Sequence, residues 1–319
     1  MTGMLRITFK QLHYFSVVAQ EQNIAAAARK LFISQPAITN ALKLLEGNLD
    51  TQLLIRHHAR GVTLTSSGKV FLVRARNLLA QAHELELSTI DSGPMLRGRL
   101  EIGCYSSLAP MYMPRLITEF LNLHPQVDLR LHESTRGDLI TGLMEGDLDY
   151  AFTPCHSLGQ DLIQQLLLKR YPCVILGSNH PLASQTKIHL SELVDHPMVL
   201  LDFDSSRNYF INLFRTHGLE PWIRYWSPSF ETVRGLVANG LGYSILVTRP
   251  KADFDYNGRP LFVRPIAEDV EADELGLISV VQRRPTNLMK AFQEFSVEHF
   301  KKIEKVEHSS TDTHHVISH

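Results

Sequence analysis

Side chains capable of nucleophilic or metal chemistry occur throughout the sequence, but not at the spacings that catalysis or metal binding needs. Cys155 and His156 are adjacent, and the three cysteines lie far apart without a CxxC pair. The chain has no GxSxG, GxxxxGKS/T or HExxH motif, and Gly240-Leu241-Gly242 lacks the third glycine of a dinucleotide-binding loop. We therefore expect no catalytic residues, no metal site and no cofactor.

One short segment combines side chains that can read the edges of nucleic-acid bases. Ser34 can cap a helix that has Pro36 in its first turn. The buried face of this helix is expected to consist of Ile38, Leu42 and Leu45. Gln35, Thr39 and Asn40 are then left on one exposed turn, where they can match base edges in a major groove. Asn40 suits the N6/N7 edge of adenine, and its alternative role is that of a solvated helix residue.

The neighbouring elements predict a helix-turn-helix with a wing. A helix over 9–20 and a second over 24–31, which Asn23 can cap, precede the Ser34 helix and a brief turn joins them to it. Two short apolar segments, 53–56 and 62–64, then flank a polar tip with a glycine. We interpret this pair as a small β-hairpin.

The distribution of charge separates the two ends of the 319-residue chain. Residues 1–76 contain ten Lys and Arg against three Asp and Glu, a net charge of +7, whereas the remainder carries −8. A basic head on an acidic body predicts a polyanionic partner, although charge alone does not separate DNA, RNA and membrane. The sequence also has no apolar run of about 18 residues and no convincing signal peptide. We therefore expect a cytoplasmic protein.

A long helix is predicted from Thr65 or Ser66 to about Thr89. Apolar residues recur along it at the spacing of a coiled-coil seam, namely Phe71, Ala75, Leu78, Ala82 and Leu85. This pattern favours a dimer. The alternative is a helix that packs on its own domain.

From Gly98 onward the predicted strands and helices alternate, as in open α/β sheets. The predicted strands are 100–103, 127–132, 150–152, 173–176, 198–201, 223–226, 244–247 and 277–281. The predicted helices are 113–123, 138–145, 190–193, 206–217, 230–239 and 286–302. Two α/β lobes joined by crossing strands form a clamshell, and the cleft between them is the expected ligand site.

Motifs in both halves of the chain resemble those of the LysR-type transcriptional regulators. The N-terminal ones are FKQLHYF at 9–15, Asn23 with Ala27-Ala28 and Leu31, SQPAI at 34–38, Leu45-Glu46, LLIR at 53–56, and Leu64-Thr65 with Gly68. The C-terminal ones are GRL at 98–100, HPQV at 124–127, GDLD at 146–149 and NGLG at 239–242. Together these motifs are highly specific.

The resemblance implies an α/β fold class with an N-terminal winged helix-turn-helix, a linker helix and a two-lobed effector domain like that of periplasmic binding proteins. We place the DNA-binding domain at 1–65, the linker and dimerisation helix at 66–92, and the effector-binding domain at 93–306. The polar tail, 307–319, is expected to be disordered.

The resemblance and the charge pattern together indicate which residues contact DNA. The expected residues are Asn23, Ser34, Gln35, Pro36, Thr39, Asn40, Lys43, Arg56 and Arg60. Lys43 and Arg56 are expected to contact phosphates, which position the protein without specifying sequence. Arg60 at the tip of the hairpin could enter a narrow minor groove, and the alternative is an exposed turn charge.

The effector is expected where hydroxyls and helix N-termini meet in the cleft. Ser106 and Ser107 follow the first strand and precede a helix, whose N-terminus attracts anions. The family resemblance implies that the effector lies against this position, against the end of the second strand and against the start of a later helix, and a second hydroxyl pair lies in the other lobe. The expected contacts are therefore Ser106, Ser107, Ser134, Thr135, Ser205, Ser206, Ser229 and Phe230. We therefore expect an anionic small molecule, although each serine could equally be a helix cap. Arg136 and Arg207 are possible anion partners, whereas Glu231 would oppose an acidic group.

The function predicted from the sequence is sequence-specific transcriptional regulation controlled by that small molecule. The expected partners are promoter DNA with an interrupted inverted repeat, a second copy of the chain in a dimer or tetramer, and RNA polymerase if the protein activates. No membrane partner is expected. An enzyme or a stand-alone solute-binding protein are the alternatives, but neither explains the basic head.

Overall fold

The N-terminal head is built from three short helices around one apolar core. The computed structural model describes residues 6–57, 61–90, 96–156, 158–203, 206–250, 252–281 and 283–313. The first three helices are α1 (Phe9–Glu21), α2 (Ile24–Lys30) and α3 (Gln35–Leu49). Side-chain caps start α2 and α3 at Asn23 and Ser34, as the sequence predicts. Phe15, Ile38 and Leu42 are fully buried between these helices.

A two-stranded hairpin follows the helices and packs against the end of α1. Its strands β1 (Leu54–His57) and β2 (Gly61–Leu64) pair antiparallel. The Val62 N–H donates to the Gln22 carbonyl at 2.8 Å. Gly61 has φ +87°, and a Cβ there would lie 2.3 Å from the Gln22 carbonyl oxygen. Only glycine therefore fits this contact. Residues 58–60 at the tip lie outside the described residues.

The long helix α4 (Ser66–Ile90) packs on the head over its first turns only. Thr65 Oγ1 accepts from the Gly68 N–H at 2.9 Å and caps the helix. The Phe71 ring lies 5.4 Å from that of Phe15, and Ala75 is buried. Leu78 and Leu85, farther along, are 43% and 68% exposed. The first part of the predicted seam is thus a contact within the domain, and the second part faces solvent in the single chain.

The remaining chain forms two α/β lobes, each with its own five-stranded sheet and core. The elements up to the first crossing are β3 (Gly98–Tyr105), α5 (Ala109–Leu123), β4 (Val127–Ser134), α6 (Arg136–Glu145), β5 (Tyr150–Pro154) and β6 (Leu162–Arg170). Then follow β7 (Cys173–Gly177), α7 (Leu190–Leu193), β8 (Met198–Leu201), α8 (Ser206–Arg215), β9 (Ile223–Ser227), α9 (Phe230–Ala238), β10 (Tyr243–Leu246) and β11 (Leu261–Pro265). The last two are β12 (Asp273–Val280) and α10 (Asn287–Thr313).

The strand order shows how the chain passes between the lobes. The first sheet has the order β4-β3-β5-β12-β6 and the second the order β11-β7-β10-β8-β9. The chain crosses once between β6 and β7 and returns between β11 and β12. A direct contact also joins the lobes, because the Tyr105 hydroxyl donates to the Phe203 carbonyl at 3.0 Å. The clamshell expected from the sequence is confirmed.

Several boundaries differ from the sequence-based ones. Helix α5 begins at Ala109 instead of 113, because Pro110 occupies its first turn, where a missing N–H costs nothing. Strands β6 and β11 were not predicted. Helix α10 continues to Thr313 instead of ending at 302, since neither proline nor glycine interrupts 287–313. Residues 307–313, expected in the disordered tail, therefore continue a helix, and 314–319 lie outside the described residues.

No helix in the described ranges is at once long and apolar enough to cross a membrane.

Candidate functional site

The exposed face of α3 brings together most of the side chains predicted to read DNA. Ser34 Oγ accepts from the Ala37 N–H at 3.4 Å, so the helix starts where the sequence predicts. Because the opposite face of α3 is buried in the core, Gln35, Asn40 and Lys43 are exposed and Thr39 is half-buried. Pro36 is exposed in the first turn.

The largely buried carboxylate of Glu46 holds the hairpin against α3. Glu46 Oε1 accepts from the backbone N–H groups of Leu53 at 2.8 Å and Leu54 at 3.0 Å. Its other oxygen lies 3.8 Å from Arg56 Nη2, and 37% of the Arg56 side chain remains exposed. Lys43 and Arg56 line one shallow depression with Glu46. Two cations therefore lie close together beside the C-terminal half of α3, and lysine and arginine are common partners of DNA phosphates.

Two further predicted DNA contacts, Asn23 and Arg60, lie outside α3 in the chain. Asn23 is exposed, and its Oδ1 accepts from the Ala26 N–H at 3.0 Å as the cap of α2. Arg60 lies outside the described residues.

A cavity of about 750 Å³ lies between the two lobes. The first lobe contributes Ser106, Ser107, Pro110 and Met111. The second contributes Leu201, Phe203, Pro228, Ser229, Phe230, Glu231, Thr232, Gly235, Thr248, Pro250, Ala252, Asp255, Tyr256 and Asn257. This volume and this mixture of apolar walls with a few polar groups are typical of small-molecule sites.

Four of the predicted effector contacts line this cavity. Ser106 donates its hydroxyl to the Ser134 carbonyl at 3.2 Å. The Ser107 hydroxyl has no hydrogen-bond partner in the described part of the chain, and α5 starts without a side-chain cap. Ser229 lines the cavity while its Oγ accepts from the Thr232 N–H at 3.3 Å and caps α9. Phe230 follows it. Ser107 thus offers the cavity a free hydroxyl, and Ser229 one that also serves as a cap.

Two of the predicted contacts, Ser134 and Thr135, do not line the cavity. The hydroxyls of Ser134 and Thr135 both donate to Asp138 Oδ2 at 2.8 Å. These two hydrogen bonds lower the pKa of the Asp138 carboxyl below its usual range. Neither residue lines the cavity, because the end of β4 turns into the cap of α6. The expectation that they face the ligand does not fit this geometry.

A second, smaller cavity of about 50 Å³ adjoins the first at Ser107 and Phe230. Ser206 lines it, but its hydroxyl donates to the carbonyls of Leu201 and Phe203 at 2.9 and 2.7 Å. Arg170 also lines it and is paired with Asp273, both nearly buried. Arg170 Nη1 donates to Thr248 Oγ1 at 3.2 Å across the lobes. Ser205 lies outside the described residues.

The two arginines considered as anion partners, Arg136 and Arg207, are engaged elsewhere. Arg136 donates to the His156 carbonyl, and Arg207 lies 3.5 Å from Asp202. Neither lines the cavity. Glu231 does line it, with its Oε2 3.2 Å from Arg234 Nε.

Sequence reasoning missed the loop after β10, which contributes Asp255 and Tyr256. The sequence Asp-Tyr-Asn-Gly at 255–258 has the composition of a turn, and an aromatic residue in a turn could have drawn attention. Its position at the cavity depends on a contact with α9 that no local pattern reveals.

Comparisons with known proteins agree with this geometry. Residues 9–69 match the family described as bacterial regulatory helix-turn-helix protein, lysR family, and 94–301 match the LysR substrate binding domain. The uncharacterized HTH-type transcriptional regulator YnfL of Escherichia coli is 30% identical over 86% of this chain and 92% of its own. The regulator YvbU of Bacillus subtilis, also uncharacterized, is 29% identical over 80% of this chain and 85% of its own.

A solved structure shares the arrangement as well. The crystal structure of HinK, a LysR family transcriptional regulator from Pseudomonas aeruginosa, is 35% identical with a TM-score of 0.63. The match covers 92% of this chain and 99% of that one. With both family domains matched in order along the chain, the protein belongs to the LysR family of transcriptional regulators, with a DNA-binding helix-turn-helix domain and an effector-binding domain.

Proposed function

We propose that the protein binds promoter DNA as a dimer and that a small molecule in the interlobe cavity changes the DNA complex. The observation that carries the proposal is α3, whose apolar face is fully buried while Gln35, Asn40 and Lys43 are exposed along the other face. An exposed helix with amide and cationic side chains is what major-groove recognition requires. The +7 charge of residues 1–76 supplies the general attraction to DNA.

Each group at α3 has its own role in this proposal. Gln35, Thr39 and Asn40 contact base edges, whereas Lys43 and Arg56 contact phosphates on either side. Asn23, Ser34 and Pro36 lie at helix starts, where backbone N–H groups can also donate to phosphate. Arg60 would extend the contact at the hairpin tip.

The proposal also concerns assembly and location. Two copies associate through the exposed part of the α4 seam, further association through the effector domains gives tetramers, and an activating complex contacts RNA polymerase. The protein acts by binding and not by catalysis. Because it must reach chromosomal DNA, we expect it in the cytoplasm.

Fluorescence anisotropy with the DNA upstream of the protein's own gene tests this function. The full-length protein should bind this DNA more tightly than a scrambled duplex of equal length and composition. Equal affinity for both duplexes at physiological salt would contradict sequence-specific binding. Turnover assays on the same preparation test the alternative that the protein is an enzyme.

A further inference from the structure

The loop after β10 places a buried carboxylate against the interlobe cavity. Asp255 lines the cavity with 6% of its surface exposed. Its Oδ1 atom accepts from the backbone N–H groups of Asn257 at 2.9 Å and Arg259 at 2.8 Å, which closes the turn. Its Oδ2 atom is buried and has no hydrogen-bond partner. A buried carboxylate oxygen without a donor is costly, so this position favours a donor from a bound molecule.

Arg234 of α9 holds this loop in place but does not line the cavity. Its side chain is 2% exposed, and Nη2 donates to the carbonyls of Ala252 at 2.8 Å and Phe254 at 2.7 Å. Its Nε atom donates to Glu231 Oε2 at 3.2 Å. Two nitrogens of Arg234 therefore anchor the loop and pair with Glu231, while its buried Nη1 atom has no hydrogen-bond partner.

The charged residues that line the larger cavity are acids. Among its described lining residues these are Glu231 and Asp255, while Lys251 lies outside the described residues. The nearby Arg170, at the smaller cavity, is already paired with Asp273. A carboxylate ligand would thus meet two carboxylates, and no described lysine or arginine lines the larger cavity to balance it.

Aromatic rings complete the lining. Phe203, Phe230 and Tyr256 all border the cavity, and Tyr256 is 86% exposed at its edge. The faces of such rings attract ammonium groups, most strongly where water is excluded. Acids and aromatic rings together form the combination that recognises organic cations.

We propose that the interlobe cavity binds an organic cation, with its ammonium group at Asp255 and its apolar body against Phe230 and Met111. This inference rests on the proposed function, in which the cavity is the effector site. It replaces the anionic ligand expected from the helix N-terminus at Ser107. The Ser107 hydroxyl remains available to a polar substituent at the other end of the ligand.

Calorimetry on the protein with three probes of similar shape but different charge directly tests which ligand charge the cavity prefers. The probes are 2-phenylethylamine, 2-phenylethanol and phenylacetate, which carry a cation, a neutral hydroxyl and an anion on the same ring. The amine should bind at least about tenfold more tightly than either of the others, as a charge-assisted hydrogen bond predicts. Equal or tighter binding of phenylacetate or 2-phenylethanol would overturn the proposal, and so would a failure of all three to bind.

A matched pair of variants assigns the preference to one carboxylate. Asp255→Asn keeps an oxygen for the turn but removes the charge, so amine binding should weaken about tenfold to hundredfold. Asp253→Asn makes the same change in the same loop, at a residue that pairs with Arg249 at 3.6 Å and does not line the cavity. It should bind the amine as the wild type does. Wild-type amine binding by Asp255→Asn would overturn the proposal.

The proposed function is tested separately from the charge of the ligand. The base and phosphate contacts of the proposed function lie in the head and not in the cavity, so specific DNA binding by the wild-type protein should persist whichever probe binds. If the amine fails while specific DNA binding is retained, only the cation proposal falls. If specific DNA binding itself is absent, the proposed function is contradicted, whichever probe binds.

Discussion

In the proposed DNA complex, Arg56 and Asn40 have different roles, because Arg56 is assigned to phosphates and Asn40 to bases. Arg56→Ala should weaken binding to every sequence and reduce the slope of log affinity against log salt by about one. The reason is that a phosphate contact releases counterions whatever the bases are. Anisotropy titrations at several salt concentrations, on specific and scrambled duplexes, measure both effects.

Asn40→Ala should instead reduce discrimination at a single base position by about 1–3 kcal/mol and leave the salt slope unchanged. Binding to a set of duplexes with single-base changes measures this. Glu46 fixes Arg56 near α3 at 3.8 Å, so the two variants alter neighbouring but separate contacts. If both lose affinity uniformly across sequences, the division of roles within the head is wrong.

His180 makes the stability of the second lobe depend on pH. Burial, with a smaller contribution from the nearby His196, lowers the pKa of His180 from 6.5 to about 4. The unfolded chain takes up a proton as the pH falls below about 6.5, whereas the folded chain stays neutral until about 4, so protonation favours unfolding in this window. Because the side chain is only half-buried, solvent screening reduces the loss to about 1–2 kcal/mol.

Urea denaturation at pH 7 and pH 5 measures this loss, and His180→Gln should show less of it than the wild type. His83→Gln, at an exposed residue of α4, is the control and should behave as the wild type. A pH dependence that is identical in all three proteins would contradict the assignment.

At the residue scale, the sequence predicts those features, such as helix caps, that depend on contacts between residues three or four apart in the chain. Asn23, Ser34 and one of Thr65 and Ser66 are expected as helix caps. In the structure Asn23, Ser34 and Thr65 each accept a hydrogen bond from the N–H three residues on. The orientation of Thr135 was not predictable in the same way. Its hydroxyl could face either the cleft or Asp138, and only the folded end of β4 decides between them.

At the scale of elements, the exposed part of α4 should hold the dimer together. Leu78→Glu combined with Leu85→Glu places charges in the proposed seam, where burial without a partner is costly. Light scattering should show a lower mass, and anisotropy should show weaker DNA binding. Ile163→Glu, at a half-exposed position of β6, is the control and should retain the wild-type mass.

Because tetramers can persist through the effector domains, the mass and the DNA affinity must be read together. If both are unchanged in the double variant, α4 is not the dimer contact.

Elements with regular local patterns were predicted, and those that depend on distant pairing were not. Buried and exposed residues do not alternate regularly along strand β6, which pairs with β12 more than a hundred residues away. Strand β11 likewise pairs with β7 across the second lobe. Both strands are stabilised by pairing with distant segments, which the local sequence pattern does not reveal. Helix α5 begins at Ala109, four residues before its predicted start, with Pro110 in its first turn.

At the scale of the whole molecule, contacts between α4 and the first lobe connect the head to the effector domain. Arg76 Nη1 donates to the Glu145 carbonyl at 2.6 Å and lies 2.6 Å from an Asp147 oxygen. A ligand can change the DNA complex only by preferring one arrangement of these parts over another. The cavity and the head are therefore expected to influence each other through this contact.

Filling the cavity with a side chain should imitate the ligand. Gly235 lines the cavity from α9, and a Cβ there would have nothing within 4 Å, so Gly235→Phe can extend into open space. We expect a changed DNA bend, measured by gel mobility of circularly permuted fragments. Gly137→Phe, on the exposed side of α6, should bend DNA as the wild type does. Identical bends in all three proteins, in the presence and absence of a cavity ligand, would contradict the coupling.

The cleft between two lobes could be predicted from the alternation of strands and helices, but the charge of its lining could not. Ser107, which follows a predicted strand, lines the cavity, and so does Glu231, which is expected there from the family resemblance. Asp255 lies at the cavity in a loop whose carbonyls at Ala252 and Phe254 accept hydrogen bonds from Arg234, 18 and 20 residues earlier in the chain, and no local pattern reveals such a contact.

Footprinting of the full-length protein on the DNA upstream of its own gene tests the central claim most directly. A dimer that reads DNA through two copies of α3 should protect two half-sites of an interrupted inverted repeat, separated by a whole number of helical turns. Asn40→Ala should protect the same region less selectively. Uniform protection, or no protection at concentrations where the protein binds DNA, would contradict the claim that this chain is a sequence-specific regulator.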